Sequence, residues 1–189
     1  MIDEEDPIPL SPDQELIVRA LARAVLVLPR VLDADLVREQ RLALHEYEVL
    51  MHVSEGPRHR LRMSELAGRC ELSLSGITRI VARLEAQGLL KRVACPQDAR
   101  GTHAVLTYRG LKRLQAAWPS HLASVRRHIV DHLDGLDLPR LARVLQRLGT
   151  EAEPVGRAEP VERREPVERV ELVDLTEPRT PAGRRRPER

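Results

Sequence analysis

The stretch from Leu72 to Gly88 constrains the fold of this chain more than any other part of its sequence. Its apolar residues recur with the spacing of an α-helix that buries one face. They are Ile77, Ile80, Val81 and Leu84. Ser73 can cap the start of the helix and Gly88 can end it. We therefore predict an amphipathic helix from about Leu74 to Gln87.

The opposite face of this helix is small and polar near its start and carries two arginines. At about 100° per residue, that face consists of Ser75, Arg79, Ala82 and Ala86, flanked by Thr78 and Arg83. Small residues let a helix enter a DNA major groove, and arginine can bond a guanine edge or a phosphate. A merely solvated helix is the competing interpretation, and the helix alone does not decide between them.

The elements predicted on either side favour the DNA-binding interpretation. A short helix from about Ser64 to Cys70 and a three-residue turn precede the amphipathic helix, which is the order of a helix-turn-helix. Two strands, about Leu90–Val93 and Ala104–Leu106, then form a β-hairpin with a long polar tip. Arg100 at this tip could enter a minor groove. Asp98 would be repelled by DNA unless it pairs with an arginine and braces the hairpin.

Charge supports the same interpretation. The chain of 189 residues has a net charge of +2, but Gly56 to Arg113 holds twelve Lys and Arg against four Asp and Glu, a net +8. Such a basic segment is the expected footprint of a nucleic-acid reader, although a solvated surface can also be basic. No Gly-rich phosphate loop, nucleophile elbow or zinc-protease helix occurs in the sequence, so we predict neither an enzyme nor a cofactor.

Helices with apolar stripes are predicted at both ends of this basic region. Ser11 and Gln14 form a capping box for a first helix, whose wide apolar stripe needs a partner such as a second subunit. Pro29 is expected to end or kink that helix. A second helix covers about Leu44–Ser54. Thr107 caps a fifth helix, and the stripe of a sixth runs from about Leu138 to Leu148.

The chain therefore divides into three parts. Residues 1–10 form an acidic N-terminus that we expect to be disordered, and residues 11–150 form the folded domain. Within residues 151–189, Glu-Pro-Val recurs every six residues at Glu153, Glu159 and Glu165, followed by the variants Glu171-Leu-Val and Glu177-Pro-Arg. We expect this Pro-, Glu- and Arg-rich tail to be disordered too. The acidic start lacks the pattern of a signal peptide, and the longest apolar run is too short to cross a bilayer. We expect a cytoplasmic, nucleoid-associated protein with no membrane partner.

Four sequence runs together resemble the MarR (multiple antibiotic resistance regulator) family of winged helix-turn-helix regulators. They are LALHEYEVL from Leu42, SELA from Ser64, LSLSGITRIVARLEAQGLLKR from Leu72 and DARGTHAVLTYRG from Asp98. The resemblance covers about residues 13–150 and is specific, because helix and wing match at the right spacing. Ala43 and Arg62 depart from it, since a capping Thr or Ser is common at both positions.

The resemblance implies a mainly α fold, a winged helix-turn-helix with N- and C-terminal dimerisation helices. Within the domain it assigns dimerisation helices to residues 11–34 and 107–150 and a DNA-binding lobe to residues 56–107. It implies a homodimer on a pseudo-palindromic double-stranded DNA operator. The DNA-binding positions that it implies are Ser73, Ser75, Gly76, Thr78, Arg79, Arg83 and Arg100. Asp98 becomes the brace of the wing, bonded to an arginine such as Arg83.

By the same resemblance, we expect a sequence-specific transcription regulator, a repressor that a small-molecule effector releases from DNA. Two alternatives remain open: an adaptor acting through the Glu-Pro-Val tail with weak DNA binding, and a redox- or zinc-responsive regulator of the same fold. The candidates for an effector pocket, which could equally be packing residues, are His45, Tyr47, His52 and Trp118. Cys95, expected to be exposed near Arg92, is the redox candidate, with a tolerated surface thiol as its alternative. We predict no metal site.

Overall fold

The computed structural model describes residues 8–95 and 98–150, with no side-chain description for 98–100 and 149–150. The predicted disordered tail and most of the acidic N-terminus lie outside these residues. The helices are α1 (Pro12–Gln40), α2 (Leu44–Glu55), α3 (Met63–Arg69), α4 (Leu74–Ala86), α5 (Tyr108–His128) and α6 (Leu138–Thr150). The strands are β1 (Arg60–Arg62), β2 (Leu90–Cys95) and β3 (Asp98–Leu106), and 3-10 turns occupy Pro57–His59 and Val130–His132.

The three strands form one antiparallel sheet in the order β1-β3-β2. The β2–β3 hairpin is longer than predicted, and its register shifts between Ala94 and Cys95. Strand β1 pairs Leu61 with Ala104, and both side chains are buried. The sheet therefore attaches the hairpin to the helix-turn-helix formed by α3 and α4, and the predicted winged helix-turn-helix is confirmed.

One apolar core joins α2, α4 and the sheet. Tyr47, Val49, Leu50 and Val53 contribute one face of α2, and all are at most 1% exposed. Ile77, Val81 and Leu84 of α4 pack against that face. Full burial of side chains of this size contributes roughly 1.5–3 kcal/mol each to folding. The packing therefore holds α4 and the sheet on α2, and it fixes the orientation of the exposed face of α4.

Helix α1 continues through Pro29, so of the two predicted effects of this proline, an end or a kink, the end of the helix was wrong. The helix runs unbroken from Pro12, capped by Ser11 and Gln14 as predicted, to Gln40. A proline inside a helix costs about 3 kcal/mol, since it removes one backbone hydrogen bond. Burial of Leu32 and Leu36 immediately after it compensates, because these residues pack the second half of α1 onto the rest of the domain.

The junction between the wing and α5 is locked by a close backbone approach. The Thr107 hydroxyl caps α5 by accepting from the Gly110 N–H at 3.0 Å, and it donates to the Gly88 carbonyl at 2.8 Å. A methyl group at Gly110 would collide with the carbonyl oxygen of Leu89, so only glycine fits there. The start of α5 is therefore bonded directly to the residues that follow α4.

A buried carboxylate joins α1 to α5. Asp35, 6% exposed, accepts from the Ser124 hydroxyl at 2.7 Å and lies 3.0 Å from His128 Nε2. Arg38 and Arg127 approach it at 2.6 and 3.4 Å. The Ser124 hydrogen bond, opposed by burial and aided by the hydrogen bonds of Arg38 and His128, lowers the pKa of Asp35 to about 2. The ionised form thus stabilises the contact between the two long helices.

We predict that Asp35→Asn lowers the free energy of unfolding by about 2 kcal/mol at pH 7. A depressed carboxyl pKa contributes stability above its ordinary value near 4, and that contribution disappears as the pH falls toward 2. The difference between variant and wild type should therefore shrink below pH 4. Urea unfolding from pH 7 to pH 3, at one fixed protein concentration, measures it.

Glu39→Gln is the matched control, because Glu39 is an exposed neighbour that also pairs with Arg38, at 3.0 Å. We expect this variant to change stability by less than about 1 kcal/mol. A stability difference for Asp35→Asn that stays constant from pH 7 to pH 3 would contradict the assigned role of the Asp35 charge.

Candidate nucleic-acid interface

Helix α4 presents its two predicted faces as expected. Ile77, Ile80, Val81 and Leu84 are at most 7% exposed, which confirms the predicted buried face. On the other side, Ser75, Arg79 and Arg83 are exposed. We call this exposed side of α4 the reading face. It has no secondary-structure element above it in the described part of the chain, so a groove of matching shape can approach it.

The start of the reading face is small and well ordered. Ser73 caps α4 by accepting from the Gly76 N–H at 3.2 Å, and its hydroxyl lies 3.0 Å from that of Ser75. The hydroxyl of Thr78, a predicted DNA-binding residue, donates a hydrogen bond to the Leu74 carbonyl at 2.6 Å, so its proton is used within α4. The short side chains of Ser73 and Ser75 and the lack of a side chain at Gly76, where an added Cβ would lie 3.3 Å from Ser73 Oγ, leave room for close approach of a backbone or base edge.

Arg83 is held by α2 and not left free. Its Nε donates to Glu46 Oε1 at 3.3 Å, and its Nη2 lies 2.9 Å from His45 Nε2. No local pattern predicts these contacts, because Glu46 and His45 precede Arg83 by 37 and 38 positions. The Asp98 side chain lies outside the described side chains, so its pairing with Arg83 or another arginine stays a prediction.

The base of the wing is tied to α4 by a second ion pair. Arg92 of β2 donates its backbone N–H to Glu85 Oε1 at 3.0 Å and its Nε to Glu85 Oε2 at 2.8 Å. These contacts with Arg92, the backbone N–H first, lower the pKa of Glu85. A surface cavity of about 350 Å³ lies between wing and helix, with Arg62, Thr78 and Arg92 among its lining residues. Wing and recognition helix therefore form one polar, basic surface.

The backbone of Asp98, Ala99 and Arg100 belongs to β3, at the end of the hairpin away from the helices. This agrees with a position at the wing tip. The side chain of Arg100 lies outside the described side chains, so its proposed minor-groove contact stays a prediction.

The four candidate effector residues lie in different surroundings. Tyr47 is buried and its ring stacks on that of His121, with centroids 4.3 Å apart. His45 contacts Arg83, His52 lies 3.8 Å from Glu55, and Trp118 is 51% exposed. None of the four lines the cavity between wing and helix or a second cavity of about 390 Å³ beside Leu89 and Arg109. An effector pocket built from all four remains a prediction.

The environment of Cys95 differs from the exposed thiol that we expected. Cys95 is only 8% exposed, and Arg62 Nη2 approaches its sulfur at 3.8 Å. The buried thiol lies directly after the register shift of the hairpin between Ala94 and Cys95. Cys70 is partly buried against the core, and burial, with a smaller effect of the Glu48 charge, raises the pKa of its thiol to about 11. Burial and the raised pKa disfavour oxidation of Cys70, whereas the redox role of Cys95 stays a prediction.

Histidine spacing on α5 does not produce a metal cluster. His128 contacts Asp35 and His121 stacks on Tyr47. Within residues 8–95 and 98–150, no group of three or more His, Cys, Asp and Glu side chains could hold a metal ion. None of the described helices is long and apolar enough to cross a membrane.

The two-faced recognition helix, the preceding short helix and the three-stranded wing define the class of winged helix-turn-helix transcription regulators. The model of the MarR family matches residues 42–101. Sco3205, a MarR family transcriptional regulator from Streptomyces coelicolor solved in complex with DNA, is 32% identical with a TM-score of 0.74, covering 80% of this chain and 95% of Sco3205. The chain belongs to the MarR family.

Two further relatives are consistent with this assignment. AbsC, a MarR family transcriptional regulator from Streptomyces coelicolor, is 34% identical with a TM-score of 0.70, covering 76% of this chain and 96% of AbsC. The HTH-type transcriptional regulator MhqR of Bacillus subtilis is 28% identical over 106 residues, which are 56% of this chain and 69% of MhqR. The similarity therefore includes the flanking helices as well as the DNA-binding lobe.

Proposed function

We propose that this protein is a sequence-specific DNA-binding repressor that acts as a homodimer and is released from its operator by a small molecule. The observation that carries the proposal is the reading face, whose exposed serines and arginines lie opposite a fully packed apolar face. The DNA complex of Sco3205, the structural relative described above, supports it. We expect the protein to act in the cytoplasm.

In this proposal the reading face enters a major groove. Arg79 and Arg83 contact base edges or phosphates, while Ser73, Ser75, Gly76 and Thr78 set the distance of approach. Arg100 at the wing tip contacts the adjacent minor groove, where the potential is most negative. Asp98 braces the wing. The net charge of +8 between Gly56 and Arg113 supplies the long-range attraction.

Apolar side chains on α1 and α6 that no described residue buries support the homodimer. In the first half of α1, Leu16, Ile17 and Val25 are 69%, 56% and 72% exposed. On α6, Leu138, Val144, Leu145 and Leu148 are 47–59% exposed along one stripe. Contiguous exposed apolar patches of this kind mark interfaces in soluble proteins. A symmetric pair of subunits would cover both stripes and present two reading faces.

Release by a ligand is supported by a buried polar pair between α2 and α5. The Tyr47 hydroxyl and His121 Nδ1 are buried and have no hydrogen-bond partner among the described residues. Unpaired buried polar groups cost about 1–3 kcal/mol each, so a ligand that separated α2 from α5 and bonded to both groups would recover that free energy. Burial raises the pKa of Tyr47 to about 12 and lowers that of His121, which keeps both neutral. A neutral or weakly acidic aromatic molecule is the chemistry that fits.

The experiment is selection of binding sites from a randomised duplex library, followed by footprinting of the recovered site. We expect two inverted half-sites with centres about one helical turn apart, because a two-fold dimer presents two reading faces. A single half-site, or a footprint with no two-fold pattern, would contradict the proposal that the protein binds its operator as a homodimer.

A further inference from the structure

The start of α2 controls a residue of the reading face from outside the helix-turn-helix. We propose that Glu46, with His45, is a positioning residue that sets the direction of the Arg83 guanidinium and thereby the base preference of the protein. This inference rests on the proposed function, and it extends DNA recognition to two residues outside the helix-turn-helix.

The hydrogen bonds define the direction of Arg83. Its Nε bonds Glu46 at 3.3 Å and its Nη2 bonds His45 at 2.9 Å, so two donors on one side of the guanidinium are used by α2. Arginine can only donate, which makes His45 Nε2 the acceptor and places the imidazole proton on Nδ1. The guanidinium plane is fixed by these two contacts, and its remaining donors are available to DNA.

Glu46 is buried and Arg83 is exposed, which suits a fixed carboxylate that orients an accessible guanidinium. The Glu46 side chain is 11% exposed, whereas the Arg83 side chain is 51% exposed. The second carboxylate oxygen of Glu46 accepts from the Ala43 backbone N–H at 3.4 Å, which attaches it to the first turn of α2. Helix α2 in turn buries Tyr47 and Leu50 in the core. The anchor is therefore rigid and the anchored group is accessible.

The other arginine of the reading face provides a comparison within the same helix. Arg79 is exposed and has no hydrogen bond or ion pair to any part of the chain that the structure describes. Binding of DNA must immobilise the Arg79 side chain, while Arg83 is already held in one orientation. A pre-organised arginine discriminates between bases better, because it cannot reorient at low cost toward a wrong base.

The test compares sites selected from a randomised duplex library by the full-length wild type, Glu46→Gln and Arg83→Ala. Glutamine keeps the shape of Glu46 and its bond to Ala43 but loses the charge that orients Arg83. We expect Glu46→Gln to reduce discrimination about 5- to 10-fold at the operator positions that Arg83→Ala also relaxes, and to leave other positions unchanged. Glu46→Gln should add nothing in an Arg83→Ala background, since the residue acts through Arg83.

Glu65→Gln is the matched control. It removes the same charge from the same lobe and breaks a comparable surface pair, Glu65 with Arg69 at 3.1 Å, away from Arg83. The control should select the wild-type motif. Circular dichroism and urea unfolding of every variant show whether a change in motif accompanies a loss of structure, and Glu46→Gln should remain folded.

Two results would overturn the inference while leaving the proposed function intact. One is an unchanged motif for Glu46→Gln, and the other is a uniform weakening at all positions. If Asp98→Asn relaxes the Arg83 positions and Glu46→Gln does not, the wing holds Arg83 in place of α2. A wild-type protein that selects no motif at all would instead overturn the proposed function, and this inference with it.

Discussion

Arg79→Ala is expected to lower affinity for the selected operator by about 5- to 150-fold, equivalent to about 1–3 kcal/mol. Arg79 is central on the reading face and exposed, and no described residue competes for its guanidinium. A bidentate contact to a guanine edge is the interaction that this geometry allows. Fluorescence anisotropy with labelled operator and scrambled duplexes, over a range of salt concentrations, measures the change.

The loss should be concentrated on the specific site, because a base contact contributes little to nonspecific binding. The ratio of operator to scrambled affinity should therefore fall together with the operator affinity. Arg126→Ala is the matched control, since Arg126 is an exposed arginine in the last turn of α5. Equal losses on both duplexes would indicate a phosphate contact, and unchanged binding would remove Arg79 from the interface.

The reading face could be predicted from the sequence because it depends on local periodicity. Residues three and four positions apart share a side of a helix, so Ile77, Val81 and Leu84 identify the buried side without any tertiary information. Ser73 and Thr107 were predictable as caps for the same reason, since a cap bonds the backbone within three residues.

What the sequence did not predict depends on contacts between distant segments. Glu46 and Arg83 are 37 residues apart, and neither position has a local pattern that suggests an ion pair. Helix α1 continues past Pro29 because tertiary packing of Leu32 and Leu36 outweighs a local penalty. Cys95 is buried beside a register shift of the hairpin, with Arg62 Nη2 3.8 Å from its sulfur, and no local pattern in the sequence predicts this position. In each case the long-range contact contributes more than the local preference.

The apolar stripes on α1 and α6 are intermediate between these cases. Their periodicity is local and was predictable, and the structure leaves both stripes exposed within the described chain. The surface that covers them cannot be derived from one copy of the chain. A substitution on a stripe therefore tests the homodimer directly.

Leu145→Glu is expected to convert the dimer to a monomer at micromolar concentration and to reduce operator affinity by about 100-fold or more. Leu145 is 47% exposed on the α6 stripe, so a carboxylate there remains solvated in one subunit but would be buried without a partner in a dimer. A monomer contacts only one half-site. It therefore loses the increase in affinity, typically 10²–10⁴-fold, that two linked DNA-binding lobes gain by binding both half-sites at once. Sedimentation equilibrium and anisotropy with the operator measure both effects.

Arg143→Glu is the control, because Arg143 is exposed on the opposite side of α6 and receives the same carboxylate. It should stay dimeric and bind the operator with nearly wild-type affinity. Val25→Glu on α1, 72% exposed in one chain, should reproduce the effect of Leu145→Glu from the other stripe. If both stripe variants remain dimeric and bind normally, the subunits associate through a different surface, and the two reading faces must be brought together by other residues.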